Sequence, residues 1–439
     1  MAAPEITRTT SHRIASRVIP LAVLFLINVL NFYDRQAPGA LAEPIRKEFN
    51  LTDTQLGILG TMFTLVYAIV GLPLGRIADK WSRRKLLALG ITVWASLTAA
   101  SALARTYAML VFSRLGVGVG EAVCAPTATS WIGDLFPAHQ RARALALFMF
   151  AVPLGSGLSF MVSGPAAQAF GWRAALVIAA LPAVLLVPAL LMLSEPARGA
   201  SETTAVAQKP SAWILLRIPT FGWIIASGAL INFNLYALGT FLPAFFSRFH
   251  GLTVAESGLW TGIGHTGGGL MAATLGGWLG DRAIRKRGNG RMMVASLTAL
   301  AAAPVGYWAI QQPAGSWVHA MLLISASYGL LNMYYGCVYS SIQDIVGPSL
   351  RGTAMAVYFM AMYLCGASFG PLLTGRLSDM LAHRAALIAG SGTITESARA
   401  IGLHQAMYVI PAISLGLALV LYAGSCTVER DIARRDQAI

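Results

Sequence analysis

The chain is short of charge. Asp, Glu, Lys and Arg make up 11% of its 439 residues, where soluble domains carry about 25%. Folded as a soluble protein it would form about three domains with hardly any polar skin, which excludes an ordinary cytosolic enzyme. Cysteine is scarce: Cys124, Cys337, Cys365 and Cys426 all lie in apolar stretches without metal-ligand spacing. That excludes a disulfide scaffold, points to no metal and reads the four as small packing residues. Acidic residues are outnumbered, 18 against 32 Lys and Arg, for a formal net charge of +14. A nucleic-acid partner would need a basic face on a soluble body, whereas here the basic residues cluster between apolar runs. No Gly-Lys dipeptide occurs, so Gly116, Gly118 and Gly120 lack the lysine of a phosphate loop, and no cofactor is implied.

What is abundant is hydrophobic sequence, 56% of the chain. A bilayer core of roughly 30 Å takes about 20 apolar residues per helix. Twelve such runs are readable, near 18–43, 54–78, 84–104, 107–133, 141–168, 173–193, 213–246, 255–280, 292–311, 317–343, 352–375 and 405–427. The first run is too long for a signal peptide and reads as a retained span. With the N-terminus inside, 22 Lys and Arg fall on the inner side and 8 on the outer, with Arg35 and Arg114 inside spans. The positive-inside rule then places both termini in the cytoplasm of a cell whose inner membrane holds the chain.

The sequence also repeats. Asp79, Lys80 and the basic Arg83–Lys85 after span 2 are echoed by Asp281, Arg282 and a basic run to Arg291 after span 8. Pro137 and Arg141 after span 4 are echoed by Pro348 and Arg351 after span 10. The expected fold is an all-α membrane protein of twelve transmembrane helices in two pseudo-symmetric six-helix bundles, 1–194 and 213–439, joined by a cytoplasmic linker at 195–212. A substrate route between such halves lies near the midplane. Between spans 11 and 12, Thr395 and Glu396 followed by Ala398, Ile401 and Leu403 predict a short amphipathic helix on the outer side.

Four charges are out of place: Asp34 and Arg35 in span 1, and Arg114 and Glu121 in span 4. A charge at mid-bilayer costs about 2.5–3.5 kcal/mol on insertion scales, so such groups pair or face a cavity. At ~1.5 Å per residue all four fall at similar depth, and neighbouring spans 1 and 4 would bring them into one network. One reading is a permanent ion-pair cluster that fixes helix register. The other is a proton site, because opening a cavity or moving an arginine changes a buried carboxylate's proton affinity. Asp34 is the first choice for the carrier and Glu121 the second, with Arg35 and Arg114 as charge partners or contacts for an anionic head group.

The stretch from Gly75 through Asp79, Lys80, Ser82, Arg83, Arg84 and Lys85 resembles the cytoplasmic signature GxxxD(R/K)xGxRR of the major facilitator superfamily, with Ser82 where that signature has glycine. Gly171-Trp172-Arg173 and the Gly366, Gly370, Pro371 pattern are similar to others of its features. Within the superfamily, Asn31-Phe32-Tyr33-Asp34-Arg35, the run Arg114 to Ala122 and Pro153 to Gly157 resemble the spinster-like branch. The resemblance implies alternating-access transport of a small amphipathic organic anion such as a lysolipid or sphingoid phosphate, driven by protons, by a monomer in the lipid bilayer. It also implies a cytoplasmic gate of Gly75, Asp79, Arg83, Arg84, Asp134, Asp281 and Arg282, with Gly75 letting spans 2 and 11 approach closely. A proton-independent facilitator, an organic-anion symporter of the same fold and a non-transporting receptor are the alternatives.

Polar residues at helical spacing give the candidate cavity lining: Asn31, Asn232, Asn234, Tyr236, His265, Asn332, Tyr335 and Tyr339. Each is equally readable as an interhelical hydrogen-bond partner. Gly366, Ser368 and Gly370, followed by Asp379 and His404, mimic a hydrolase nucleophile elbow. That motif needs a strand-to-helix turn, and small residues four apart inside an apolar helix are a close-packing device. No enzyme activity is expected.

Overall fold

The computed structural model describes residues 5–78, 80–198, 212–347 and 350–437. Among them there are helices and no strands, as a lipid-facing backbone requires, because each N–H and C=O must be satisfied within its own segment. Span 1 is Glu5–Ala40, span 2 Asp53–Ala78 and span 3 Arg83–Ser101. Span 4 comprises Tyr107–Glu121 and Cys124–Leu135. Spans 5 and 6 run through Ala138–Ala180, turn at Gly171 and finish with Pro182–Leu191. Gly171 has φ 84°, a left-handed conformation that a side chain would strain.

In the second half, span 7 is Pro219–His250, span 8 Val254–Ile284, span 9 Gly290–Ile310 and span 10 Trp317–Ile345. Span 11 is Arg351–Met362 and Phe369–Ile388, joined by a single π-helical turn, Tyr363–Ala367. Span 12 is Val409–Gln437. Nine helical stretches of the described chain are long and apolar enough to cross a membrane, and one of these, Arg143–Leu191, holds both spans 5 and 6. Spans 3 and 8 complete the twelve. Their hydropathy is diluted by Arg83, Arg84 and Lys85 in the one and by glycines, threonines and His265 in the other.

Two short helices lie at the end of the bundle away from the chain termini. Ala42–Phe49 follows span 1, which stops at Ala40 rather than near 43. Glu396–Ala406, capped by the Thr395 side chain, is the expected amphipathic segment. Span 7 begins later than expected, at Pro219, because Ala212–Arg217 form a 3-10 turn. Most of the expected linker lies outside the described residues.

The apolar core shows how the halves meet. At the end away from the termini a single cluster crosses both halves, including Leu41, Leu56, Trp172, Phe241, Phe245 and Met407. Toward the termini the core divides: Leu24, Trp94, Trp131 and Phe148 form a cluster in the first half, and Phe221, Ile342, Tyr358 and Leu421 one in the second. Close backbone contacts seal the shared end. A methyl built on Gly258 of span 8 would lie 2.6 Å from the Phe160 carbonyl oxygen and 3.0 Å from Gly164 Cα in span 5. One on Gly57 of span 2 would lie 2.4 Å from the Pro371 carbonyl oxygen in span 11. The halves are closed against each other at one end and separately packed at the other.

Candidate functional site

Where the shared core ends, spans 1 and 4 bring all four intramembrane charges together. Asp34, Arg35, Arg114 and Glu121 are all buried. The pairing is crossed: Arg35 Nε reaches Glu121 at 3.3 Å, and Arg114 lies 4.0 Å from Asp34. Sequence neighbours Asp34 and Arg35 leave span 1 in different directions, as successive helical residues must. Thr98 of span 3 donates to Asp34 Oδ2 at 2.7 Å. The carboxyl groups of Asp34 and Glu121 are close enough to act on each other electrostatically. Asp34 Oδ1 and Glu121 Oε1, both buried, have no donor among the described residues.

Arg35 is the centre of the site. It donates to Asn31 Oδ1 at 3.1 Å, to the Tyr363 hydroxyl at 3.0 Å and to the Tyr236 hydroxyl at 3.5 Å. Its guanidinium lies over the rings of Tyr67 (4.5 Å to the centroid) and Phe32 (4.6 Å), a cation–π arrangement that compensates part of its desolvation. Arg114 sits over Phe63 at 5.0 Å. Tyr236 and Tyr363 belong to the second half, so this arginine bridges the halves. The cavity on the closed side of the charges, bounded by Arg35, Gln36, Arg114, Tyr236 and Thr240, holds about 30 Å³. That is room for one or two waters and none for an organic substrate.

The second half supplies a wall of aromatic rings. Tyr335 lies tilted against Tyr339 (5.4 Å between centroids), Tyr339 edge-on to Phe359 (5.7 Å), and Tyr363 tilted against Tyr67 of span 2 (5.0 Å). Tyr335 donates to Asn232 Oδ1 at 3.4 Å, and Asn232 is tied to its own helix at Gly228. Asn332 is half-buried and bonds the Tyr328 carbonyl of its own helix. Two expected lining residues lie elsewhere. Asn234 turns toward span 12, donating to Ile410 O and Ser414 Oγ, because helical periodicity puts it about 160° around from Asn232. His265 is a packed ring, bonded to Thr261 O at 3.0 Å and held at a tilt between Phe160 and Tyr328.

The expected gate at the termini end divides between the halves. Arg83, fully buried, bridges Asp134 (2.5 Å) and Glu195 (3.1 Å). Glu195 also accepts from Ser82 and the Arg83 amide. Burial raises its carboxyl, but these bonds outweigh that and hold it below the usual carboxylate value. Arg84 binds the carbonyls that end span 6, Leu191 and Leu193, and its amide donates to Glu195. In the second half Arg291, rather than Arg282, makes the equivalent bridge, to Asp281 (3.0 Å) and Asp344 (2.6 Å). Arg282 lies over Trp278. Gly75 does not meet span 11; its nearest neighbour is Pro126 of span 4, because spans 2 and 11 touch at the opposite end, through Gly57 and Gly375. Asp79 lies outside the described residues.

Every ion pair between described residues that joins the halves is at the closed end. Arg248 of span 7 reaches Glu43 at 2.7 Å and Asp53 at 2.9 Å. Arg46 pairs with Glu43 and with Glu396, each at 2.7 Å. Asp379 of span 11 caps the start of span 2, accepting from the Asp53 and Thr54 amides. This disposes of a hydrolase triad: Asp379 is a cap, His404 bonds Ile310 O, and Ser368 donates to Tyr363 O. Of the four cysteines, Cys124 and Cys337 are buried packing residues, whereas Cys365 and Cys426 are exposed.

Sequence reasoning missed Tyr67, Thr98, Glu195, Arg248, Arg291, Asp344 and Tyr363. The register of Asp134 with Asp344, each ending its span, was the available signal for the Arg291 bridge. The cross-half partners left none.

The family described as the Major Facilitator Superfamily matches residues 24–371. An MFS-type efflux pump of Mycolicibacterium smegmatis is 30% identical over 98% of this chain and 99% of its own length. Human protein spinster homolog 1 is 29% identical over 82% of this chain and 73% of its own. A bacterial homolog of the human lysosomal transporter spinster, solved inward-facing and unoccupied, superposes with a TM-score of 0.84 at 26% identity, covering 95% of this chain and 98% of that one. A xylose-proton symporter, at 19% identity and TM-score 0.71, shares the fold. Twelve spans, an interface between two six-helix halves and these matches agree: the chain is an integral membrane transporter of the major facilitator superfamily, of the spinster type, and not an enzyme.

Proposed function

We propose that the chain is a proton-coupled secondary transporter in which Asp34 and Glu121 share the transported proton. The observation that carries this reading is the pair of buried carboxylate oxygens, Asp34 Oδ1 and Glu121 Oε1, that lack donors while their partner oxygens are bonded. A proton between the two carboxyls would satisfy both, and an unmet buried acceptor is costly. Arg35 and Arg114 compete with that proton for the same carboxylates, so any motion that redirects an arginine changes proton occupancy.

The substrate class that fits is an amphipathic organic anion such as a lysolipid or sphingoid phosphate. Arginine donors at the top of the site suit an anionic head, and the tyrosine wall suits an apolar body. The halves 1–194 and 213–439, joined at 195–212, rock about this site. The termini end faces the cytoplasm of the inner membrane, so the present conformation is inward-facing, and a monomer suffices for the cycle.

The test is flux in proteoliposomes with an imposed pH gradient, using substrates first picked by thermal stabilisation with lysophospholipids and sphingoid phosphates. Asp34→Asn and Glu121→Gln are expected to remain folded and to lose gradient-driven flux. Wild-type flux in both variants would leave a permanent ion-pair cluster in a proton-independent facilitator.

A further inference from the structure

Span 11 is α-helical except at Tyr363–Ala367, where one π turn intervenes. A π turn is less stable than the helix it interrupts and persists where surrounding contacts demand it. Here they come from both halves: Gly366 within the turn packs against the Ala229 backbone of span 7, and span 2 of the other half binds its end. Ser368 closes the turn, its amide and hydroxyl both donating to Tyr363 O. Its carbonyl accepts from Thr61 Oγ1 at 2.5 Å, and its hydroxyl meets Thr64 Oγ1 at 3.0 Å, both from span 2. All these groups except Tyr363 are buried. At the head of the turn, the Tyr363 hydroxyl takes the bond from Arg35.

We propose that Tyr363 is a positioning residue that couples closure of the halves to the proton site, through the π turn that span 2 clamps. With the halves closed, Thr61 and Thr64 hold Ser368, the turn places the Tyr363 hydroxyl beneath Arg35, and Arg35 divides its donors between Glu121 and the two tyrosines. When the halves part, the threonine bonds are lost, the tyrosine withdraws with its half, and Arg35 gives those donors to the carboxylates of its own half. Proton occupancy of Asp34 and Glu121 thereby follows conformation, with no contact between span 11 and either carboxylate. The charged and titratable groups facing this arginine and Glu121 are Asp34, Tyr67, Arg114, Cys124, Tyr236 and Tyr363. Tyr363 and Tyr236 are the two that belong to the moving partner. The proposal rests on the proton-site reading above.

The experiment needs no substrate. Spin-label distances between the two halves at the closed end, in lipid nanodiscs, are followed from pH 5 to pH 9. Wild type is expected to change its closed fraction with pH. Tyr363→Phe keeps the ring and removes the hydroxyl; its midpoint is expected to move about one pH unit to the acid side, as the loss of a hydrogen bond to a charged group implies. Thr64→Val together with Ser368→Ala should move it the same way, while Thr64→Ser alone stays at the wild-type midpoint. A structural role alone would lower thermal stability in these variants and leave the midpoint in place. Titration of Tyr363→Phe and of the clamp variant at the wild-type midpoint, while the doubly substituted Asp34→Asn, Glu121→Gln protein is flat, overturns the relay and leaves the proton site standing. Persistence of the titration in that double variant overturns the proton site, and the relay with it.

Discussion

The two ends of the bundle use the same chemistry for different purposes. At the closed end, Arg248 reaches across to Glu43 and Asp53, and Arg46 reaches across to Glu396. At the termini end, Arg83 serves Asp134 and Glu195 inside one half, and Arg291 serves Asp281 and Asp344 inside the other. A pair within a half survives rocking and sets that half's rigidity. A pair between halves exists in one state only, so its free energy enters the conformational equilibrium directly. The apolar core repeats the distinction, continuous at one end and divided at the other.

The sharpest way to break this comparison is to remove one arginine from each end. Arg248→Ala leaves two buried carboxylates, Glu43 and Asp53, without their cross-half partner. Stranding buried charge costs about 3 kcal/mol, and here the open state escapes that cost, so the closed population should fall roughly a hundredfold relative to the open. Arg291→Ala should lower thermal stability and leave that ratio nearly unchanged. Inter-half distances by spin labelling, beside thermal unfolding, read both; equal conformational shifts in the two variants would erase the distinction. A smaller effect is expected at the seam of spans 5 and 8. Gly258→Ala drives a methyl against the Phe160 carbonyl and Gly164 Cα, both backbone, and overpacking costs about 1–3 kcal/mol. The closed state alone should suffer, with Gly267→Ala, which meets nothing within 4 Å, as the neutral control.

The architecture was readable because each span must satisfy a length and a hydropathy set by the bilayer, and the intramembrane quartet was readable because charge is so rare there. The outer charges were a different matter. Arg46 and Arg248 look like ordinary loop cations in sequence, and only the closing of one half on the other makes them buried latch residues. The aromatic wall shows a second limit. In register with Asn31 and Asn232, the positions of Asp34 and Arg35 become Leu235 and Tyr236; in register with Asp134 and Asp344, those of Arg114 and Glu121 become Ile324 and Leu331. The fold is duplicated while the charge is confined to one half, so repeat symmetry finds the helices and says nothing of what the uncharged half contributes. That contribution, the hydroxyls of Tyr236 and Tyr363 on Arg35, depends on a π turn with no signature in composition or spacing.

The smallest expected effect separates the ends by pH. Glu43, outside the spans, is buried, and burial alone would raise its carboxyl; Arg248 and Arg46 outweigh that and hold it below the ordinary 4.5. Once the halves part, Arg248 leaves and the carboxyl returns toward its ordinary value. A group held low in the closed state favours closure fully above the ordinary value and loses that contribution as pH falls through the lowered one. The closed fraction should therefore be flat from neutrality down to about 4.5 in this component and decline below it, on a limb separate from any titration at Asp34 and Glu121. Glu43→Gln should remove the acid limb, leaving a lower and level closed fraction. Glu195 is also held low, but by Arg83 and Ser82 of its own half, partners that travel with it in both states. Glu195→Gln should then lower thermal stability at neutral pH, lose that difference from wild type in acid, and leave the closed fraction alone, because linkage to conformation requires a proton affinity that differs between the conformations, however far it lies from the ordinary value in each.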